Sequence, residues 1–261
     1  MAPHVLVIAG LDPSGGAGLI ADVRTLAEHG VGALGVATAL TEQGHGGVRA
    51  VNPVDPALVG RQVAALLAGE PVDAVKIGML GVPATAAAVA AALAAARSVP
   101  VVLDPILRAS SGAVLLGDDE DAGRAALLAL LRRATLVTPN AIEAAALCEQ
   151  APPLTLAAAA GLAQALRARG ARAVLLKGGH LPAAASPGET VDVLDAGDGP
   201  VLLRAPRLAA GAHGTGCALA SAIAAHLARG APLREAVEAA RAFLTERLRT
   251  AEARGGARYL Y

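Results

Sequence analysis

Residues 212–217 read Ala-His-Gly-Thr-Gly-Cys, and an Ala-rich pattern typical of a helix follows over Ala218–Ala228. A glycine turn directly before a helix leaves backbone N–H groups without intrahelical partners, and the helix dipole adds positive charge there. The two glycines let a bound anion approach the main chain closely. Turns of this kind bind ligands at the edge of open α/β sheets. We therefore predict that Gly214, Thr215 and Gly216 form a phosphate site.

Cys217 follows this turn, in the first turn of the predicted helix. A thiol in that position can have a lowered pKa, and it could then act as a general base toward a hydroxyl group. The alternative is that Cys217 is a small core residue, because free cysteines are usually buried. The local sequence leaves both interpretations open.

Outward from this turn, short apolar runs alternate with Ala-rich amphipathic stretches. The runs are continuous in Val, Ile and Leu, as expected for strands buried on both faces. Strands are predicted at His4–Ala9, Ala33–Ala39, Ala74–Gly78, Pro100–Asp104, Thr135–Thr138 and Ala173–Lys177. Helices are predicted at about Gly16–Glu28, Pro56–Ala68, Pro83–Ala96, Asp119–Leu131, Ala141–Cys148 and Leu154–Arg169. This alternation predicts an α/β fold with a mainly parallel sheet and helices on both faces.

The end of the chain departs from the alternation. Thr190–Leu194 and Val201–Ala205 flank the turn sequence Asp195–Gly199, which predicts an antiparallel hairpin at one edge of the sheet. Helices over Thr215–Ala228 and Leu233–Thr250 follow. No stretch has the composition of an interdomain linker, so residues 1–261 are expected to form a single domain.

Composition excludes several classes of protein. With 54% hydrophobic and 17% charged residues, the chain is not expected to be disordered. A net charge of +0 and only 1% aromatic residues argue against a nucleic-acid partner. No apolar stretch is long enough for a membrane span, and the start does not resemble a signal peptide. Two distant cysteines without metal-binding spacing suggest a reducing, cytoplasmic setting.

A glycine-rich loop, Gly10–Gly18, follows the first predicted strand. It contains no Walker A sequence, while Gly16–Ala21 fits the GxGxxG/A dinucleotide pattern only weakly, because Leu11–Gly15 separate it from the strand. Such a loop suits the close approach of a substrate. Asp22, in the helix that follows, could point into the same pocket or be an ordinary helix acid.

Polar residues also follow other predicted strands. Asp104 ends one strand, and Asn140 and Glu143 follow the next. Carboxylates in such positions can hold magnesium through water. Each also has a simpler explanation, since Asp-Pro is a turn signal and an Asn with a Glu three residues later forms a capping box. Their occurrence together favours a magnesium site.

Two further side chains are candidates for ligand contacts. Lys177 ends a buried strand before two glycines, where a phosphate would be a natural partner for its charge. The alternative is that it snorkels from the edge of the sheet. Gln43, placed beyond another strand, offers a donor and an acceptor that suit a pyrimidine or amide edge.

Taken in order, these motifs resemble the hydroxymethylpyrimidine/phosphomethylpyrimidine kinase family of thiamine biosynthesis, within the ribokinase-like superfamily. The resemblance spans nearly the whole chain. Its most specific parts are Lys76–Leu80, which reads Lys-Ile-Gly-Met-Leu, and His213–Cys217, which reads His-Gly-Thr-Gly-Cys. The other parts are Ile8–Gly10, Asp12–Gly18, Ala21–Asp22, Thr38–Thr41 with Gln43, Leu103–Pro105, Thr138–Asn140 with Glu143, and Lys177–His180.

The resemblance implies a ribokinase-like three-layer α/β/α sandwich and a homodimer. It also implies Mg²⁺- and ATP-dependent phosphorylation of 4-amino-5-hydroxymethyl-2-methylpyrimidine, of its monophosphate, or of both. The implied roles are phosphate binding by Gly214, Thr215 and Gly216; proton transfer by Cys217; pyrimidine binding by Gly10, Asp22, Gln43 and Met79; magnesium binding by Asp104 and Glu143; and nucleotide binding by Lys177, Asn140 and Thr215.

The chain also departs from the family pattern. Leu11 stands where Ser or Thr is usual, Ala113 where an acid is usual, and Gly211-Ala212 where Asn-Thr is usual. These departures leave the exact substrate open. The alternatives are a pyridoxal/pyridoxine kinase of the same superfamily and a non-catalytic pyrimidine-binding homologue. Gly16–Ala21 raises a third alternative, a nicotinamide-dependent oxidoreductase.

Overall fold

The computed structural model describes residues 2–44, 47–96, 98–107, 115–117, 119–208, 212–254 and 257–260. Ala113 and Gly211, two of the departures named above, lie outside these residues. The strands are β1 His4–Leu11, β2 Gly32–Gly44, β3 Gly47–Pro53, β4 Ala74–Ile77, β5 Val101–Leu103, β6 Leu136–Val137, β7 Val174–Leu176, β8 Glu189–Asp195, β9 Pro200–Pro206, β10 Glu252–Arg254 and β11 Ala257–Tyr259. The helices are α1 Gly18–Glu28, α2 Pro56–Gly69, α3 Pro83–Ala92, α4 Glu120–Leu131, α5 Ala141–Cys148, α6 Leu156–Ala168, α7 Thr215–Ala228 and α8 Leu233–Thr250.

One sheet organises the molecule, with the strand order β3-β2-β1-β4-β5-β6-β7-β8-β9. The strands from β2 to β7 in that order are parallel, and Val5 pairs with both Ala33 and Ala74. Strands β3, β8 and β9 are antiparallel to their neighbours. The predicted edge hairpin is confirmed as β8 and β9, with Val193 opposite Leu202.

Helices cover both faces of the sheet, because successive strand residues point in opposite directions. Leu6 and Ile8 of β1 pack in a core that includes α2 to α6. Val5 and Val7 pack on the other face, in a core that includes α1, α7 and α8. The predicted three-layer α/β/α architecture is therefore confirmed. Within the described residues, no helix combines the length and the apolar character that crossing a membrane requires.

Two features of the fold differ from the sequence-based expectation. Strand β2 continues to Gly44 because β3 pairs with its second half, so Gln43 lies within a strand rather than beyond one. This extension carries polar residues, so it lacks the apolar run that indicates a buried strand. The short antiparallel pair β10–β11 was not predicted either. It contacts the turn before α7, since the His213 amide donates to the Arg258 carbonyl at 2.9 Å.

Candidate active site

A cavity of about 940 Å³ opens at the edge where the parallel strands end. It extends across the sheet, because Gly10 and Gln43 of β1 and β2 line it together with Ala205 of β9. Lys177, which follows β7, and Gly216, in the first turn of α7, line it between those strands. Of the predicted site residues, Asp22 alone is absent from the lining.

Gly214 caps the N-terminus of α7 in a conformation that requires glycine. Its φ is 81°, in the left-handed region, and a Cβ there would lie 2.0 Å from the Gly16 carbonyl oxygen. The turn before α7 therefore packs directly on the loop that follows β1. This contact fixes the N–H groups of the helix start, with Thr215 as the first helical residue, beside the cavity.

A cation and a carboxylate lie against Gly216. A Cβ on this glycine would lie 3.2 Å from Lys177 Nζ and 3.4 Å from Asp104 Oδ2. Lys177 Nζ donates to Asp104 Oδ1 at 2.7 Å, and Thr138 Oγ1 donates to the same oxygen at 3.1 Å. Burial alone would lower the pKa of Lys177, but Asp104 and Glu143 outweigh it and raise that pKa. A charged ammonium thus lies at the positive end of α7.

Asn140 and Glu143 form the capping box of α5. Asn140 Oδ1 accepts from the Glu143 amide at 2.9 Å, and Glu143 Oε2 accepts from the Asn140 amide at 2.8 Å. The simpler structural explanation is therefore correct for both, yet both also line the cavity. Burial raises the pKa of Glu143 to about 7; Lys177 opposes this rise and Asp104 adds to it.

Replacement of Glu143 by glutamine should change how stability depends on pH. The folded carboxyl binds its proton more tightly than the unfolded one, so its contribution is present at low pH and is lost as the pH rises from about 4.5 to about 7. Glutamine keeps the capping box but cannot titrate. The Tm of the wild type relative to Glu143→Gln should therefore fall between about pH 5 and about pH 8. Parallel Tm curves over that range would contradict the raised pKa.

The carboxylates of Asp104 and Glu143 suit a magnesium ion whose other ligands are phosphate oxygens and waters. Across the described ranges, no three His, Cys, Asp or Glu side chains cluster as a metal site. Lys177 and Thr138 bond Asp104 through Oδ1, and the Asn140 amide bonds Glu143 through Oε2. The second oxygen of each carboxylate remains for a cation. Magnesium commonly uses one or two carboxylates together with phosphate oxygens and waters, so these residues fit that ion.

Cys217 lines the cavity but is only 7% exposed. Burial raises its pKa to about 11, although the Lys76 ammonium and the Gly18 amide act in the opposite direction. The expected lowering of this pKa is therefore wrong. The helix start supplies favourable charge, but removal of water from the sulfur has the larger effect.

Asp22 lies beneath the cavity rather than in its wall. Its side chain is fully buried between α1, α7 and β4, where Oδ2 accepts from Lys76 Nζ at 2.6 Å and Oδ1 from Ser221 Oγ at 2.7 Å. The expectation that Asp22 points into the pocket is thus wrong. It lies on the buried face of α1 with Ala21 and Leu26, so its carboxylate faces the sheet.

Gln43 belongs to a polar cluster at the β2 end of the cavity. Its Nε2 donates to Asp12 Oδ2 at 3.2 Å and lies 3.0 Å from His213 Nε2, which is itself 3.2 Å from Asp12 Oδ2. Burial alone would raise the pKa of Asp12, but hydrogen bonds from His213 and Ser14 outweigh it and lower that pKa. Asp12 is therefore a carboxylate that ties the turn before α7 to β2.

Gly10 and Met79 lie together at this same end. A Cβ on Gly10 would lie 2.8 Å from Met79 Sδ, so glycine leaves room for the thioether beside the cavity. The pair supplies an apolar surface next to the polar cluster of Asp12, Gln43 and His213. This combination suits a flat heterocycle with hydrogen-bonding edges.

Local sequence alone indicates no role for Asp12, His213 or Lys76. Lys76 carried a usable signal, since a lysine inside the apolar strand Ala74–Ile77 is as unusual as Lys177 at the end of β7. Asp12 and His213 lie far apart in the chain, and only the fold brings their side chains together.

Comparison with known proteins gives a consistent result. The family model described as phosphomethylpyrimidine kinase matches residues 12–259. The chain is 42% identical to the hydroxymethylpyrimidine/phosphomethylpyrimidine kinase of Rhizobium meliloti, over 98% of this chain and 96% of that protein. It is also 42% identical to the thiamine biosynthesis bifunctional protein of Geobacter sulfurreducens, but there 96% of the chain matches only 50% of the relative.

A solved structure extends the comparison to the fold. The ADP complex of Bacillus subtilis pyridoxal kinase superimposes with a TM-score of 0.86 at 30% identity. The match covers 97% of this chain and 94% of that one. The arrangement of sheet and helices described above is thus shared with a pyridoxal kinase over almost its whole length.

Proposed function

The chain belongs to the phosphomethylpyrimidine kinase family, and on this premise we propose that it transfers the γ-phosphoryl group of ATP to a pyrimidine. The acceptor is 4-amino-5-hydroxymethyl-2-methylpyrimidine, its monophosphate, or both. The observation that carries this proposal is the meeting of Lys177, Asp104 and Gly216 at the start of α7. A cation, the amides of a helix N-terminus and a carboxylate suited to magnesium are what phosphoryl transfer requires.

We place the pyrimidine at the β2 end of the cavity. Gln43 offers an amide donor and acceptor to the ring edge, while Gly10 and Met79 allow close contact with the ring face. The contact of His213 with Asp12 links this end to the phosphate-binding turn. A hydroxymethyl group on the ring would then point toward Cys217.

We place the nucleotide at the other end, between β8, β9 and α8. Leu219, Leu244 and Leu248 give this end an apolar lining suited to a base. The phosphates would extend toward Lys177 and the start of α7, where Thr215 and Asn140 also line the cavity. Donor and acceptor thus approach the same point from opposite ends.

In the transfer step, the acceptor oxygen bonds to the γ-phosphorus and the bond to the β,γ-bridging oxygen breaks. The amides of Gly214 to Gly216 and the Lys177 ammonium stabilise the charge on the phosphoryl oxygens. Asp104 and Glu143 would hold magnesium, which supplies further positive charge to the phosphates when bound. For the hydroxymethyl substrate, Cys217 accepts the proton of the attacking hydroxyl group or orients it.

A homodimer and a cytoplasmic location belong to the same proposal. The dimer rests on the resemblance to the family. The cytoplasmic location rests on the cysteines, because Cys148 and Cys217 are both free thiols, as is usual in a reducing compartment.

A panel of phosphate acceptors with magnesium-ATP tests the proposal. We expect ADP release with the pyrimidine alcohol, with its monophosphate, or with both, and only background ATP hydrolysis without an acceptor. The control is the Cys217→Ala protein under the same conditions. Tight binding of the pyrimidine without any turnover would replace the proposal with a binding function.

Pyridoxal is a second candidate acceptor. The structural match to a pyridoxal kinase over nearly the whole chain favours its inclusion. The same panel separates the two functions, because kcat/KM for each acceptor is measured on the same protein preparation. A kcat/KM for pyridoxal above that for both pyrimidines would assign the chain to pyridoxal phosphorylation instead.

A further inference from the structure

Lys76 is a fully buried lysine next to the active-site cavity. Its exposure is 0%, and it is among the largest fully buried side chains of the described chain. Burial alone would lower the pKa of Lys76, but Asp22, Cys217 and Asp104 outweigh it, and the pKa is raised. The side chain is therefore an ammonium ion in the protein interior. Lysine is almost never fully buried without a specific partner.

The position of Lys76 brings its charge to the side of the sheet that α1 and α7 cover. Val75 and Ile77 pack on the other face of the sheet, so Lys76 projects toward α1 and α7. Its Nζ lies close under Gly78, where a Cβ would approach it to 2.8 Å. Lys76 also lines the cavity.

A chain of contacts connects Lys76 to the face of α7 that carries Cys217. Nζ donates to Asp22 Oδ2 at 2.6 Å, and Ser221 Oγ donates to Asp22 Oδ1 at 2.7 Å. Ser221 lies four residues after Cys217, so both side chains are on the same face of the helix. Asp22 therefore joins Lys76 to the helix face that carries Cys217, and Lys76 and Cys217 both line the cavity.

Lys76 has more hydrogen-bond donors than it uses. An ammonium group has three donors. Within the part of the chain that the structure describes, Asp22 is the only acceptor that bonds Nζ. Stability alone does not explain the buried Lys76–Asp22 ion pair, since replacing such a pair by apolar residues of similar volume often leaves a protein equally stable or more stable. A buried cation with spare donors beside a cavity indicates a role toward the cavity.

We propose that Lys76 is a positioning residue whose ammonium, fixed by Asp22, is the counter-charge for the Cys217 thiolate. The proposal rests on the proposed function only in assigning that thiolate to proton transfer. The charge attracts the sulfur in its ionised form and keeps it directed at the acceptor hydroxyl. Asp22 has a structural role, because it retains the cation beneath α7.

The other charges near the sulfur do not replace Lys76. Asp22 and Asp104 both disfavour the thiolate. Lys177 also interacts with Cys217, but its ammonium is bonded to Asp104 at 2.7 Å. Since burial raises the pKa of Cys217 to about 11 even with Lys76 present, loss of Lys76 should make the thiolate rarer still.

The test measures the thiol directly. All proteins carry Cys148→Ala, so Cys217 is the single cysteine, and its alkylation by iodoacetamide is followed from about pH 7 to about pH 11. Removal of a nearby opposite charge raises the pKa of an acid by about 1–3 units, and Lys76 is the largest influence that lowers the pKa of Cys217. Lys76→Met should therefore slow alkylation about tenfold or more at every pH below the wild-type pKa. The rise of kcat with pH should move in the same direction, with the KM for ATP nearly unchanged.

Two further variants serve as controls. One avoids leaving a buried charge without its partner, and the other removes an ion pair outside the cavity. Lys76→Met/Asp22→Asn leaves no buried charge in the pair; because Asp22 disfavours the thiolate less than Lys76 favours it, alkylation should be slower than in the wild type but faster than in Lys76→Met. Arg167→Met breaks the ion pair with Asp195 outside the cavity and should keep the wild-type profile. Wild-type alkylation in folded Lys76→Met, or in the double variant, would overturn the proposal. This outcome is independent of substrate, so it is distinguishable from failure of the proposed function.

Discussion

Replacement of Cys217 by alanine should lower kcat for the pyrimidine alcohol by about 10²- to 10⁴-fold, the usual contribution of a positioned general base. The side chain lines the cavity beside the proposed phosphate-binding turn, and its removal leaves no sulfur to take or orient the proton. The KM for ATP should change little, because Lys177 and the amides of α7 remain. Steady-state kinetics with both substrates varied measure the two effects separately.

Cys148→Ala is the matched control for this prediction. Cys148 is the other free thiol, but it is buried in the core around α5 and does not line the cavity. Its replacement should leave kcat close to the wild-type value. A Cys217→Ala protein that turned over at the wild-type rate would exclude Cys217 from the proton transfer.

Replacement of Gly214 by alanine should remove both activity and stability. A residue with a Cβ at φ 81° is strained by about 1–3 kcal/mol. The new Cβ would also overlap the Gly16 carbonyl oxygen, which lies 2.0 Å from its position. The turn must therefore move away from the loop after β1, and its amides lose their alignment with the phosphate. Thermal unfolding and ATP turnover should both show large losses.

Gly216→Ala is the comparison variant for Gly214→Ala, because it should affect nucleotide binding without strain in the backbone. Gly216 has no positive φ, and the nearest atom to its Cβ position is the tip of the flexible Lys177 side chain at 3.2 Å. The variant should fold with nearly normal Tm but bind ATP more weakly, because the methyl group occupies space beside Lys177 and Asp104. Equal Tm values for Gly214→Ala and the wild type would contradict the close contact with Gly16.

Much of the fold was predictable from local sequence. The buried parallel strands are runs of Val, Ile and Leu, and helices α5, α7 and α8 begin and end at the predicted residues. Strand prediction failed where the residues of a strand are not mainly apolar. The second half of β2 carries Thr41 and Gln43, and it is a strand because β3 pairs with it.

The candidate site was predictable for residues that follow strands or begin helices. Lys177, Asp104 and Glu143 line one cavity because their strands end at the same edge of the sheet. Sequence position could not reveal which way a helix residue faces. Asp22 is in α1 close to the cavity, yet the rotation of the helix turns its carboxylate to Lys76. The raised pKa of Cys217 also depends on burial, which local sequence does not fix.

Helix α7 begins at the proposed phosphate-binding turn, and every residue from Cys217 to Ala225 is buried. A helix with such a buried middle has little room to roll or slide. The donors at its tip are therefore immobilised once, when the protein folds, and need not be reordered at each catalytic cycle. Any closure over the reactants must therefore come from the other walls of the cavity, while α7 stays in place.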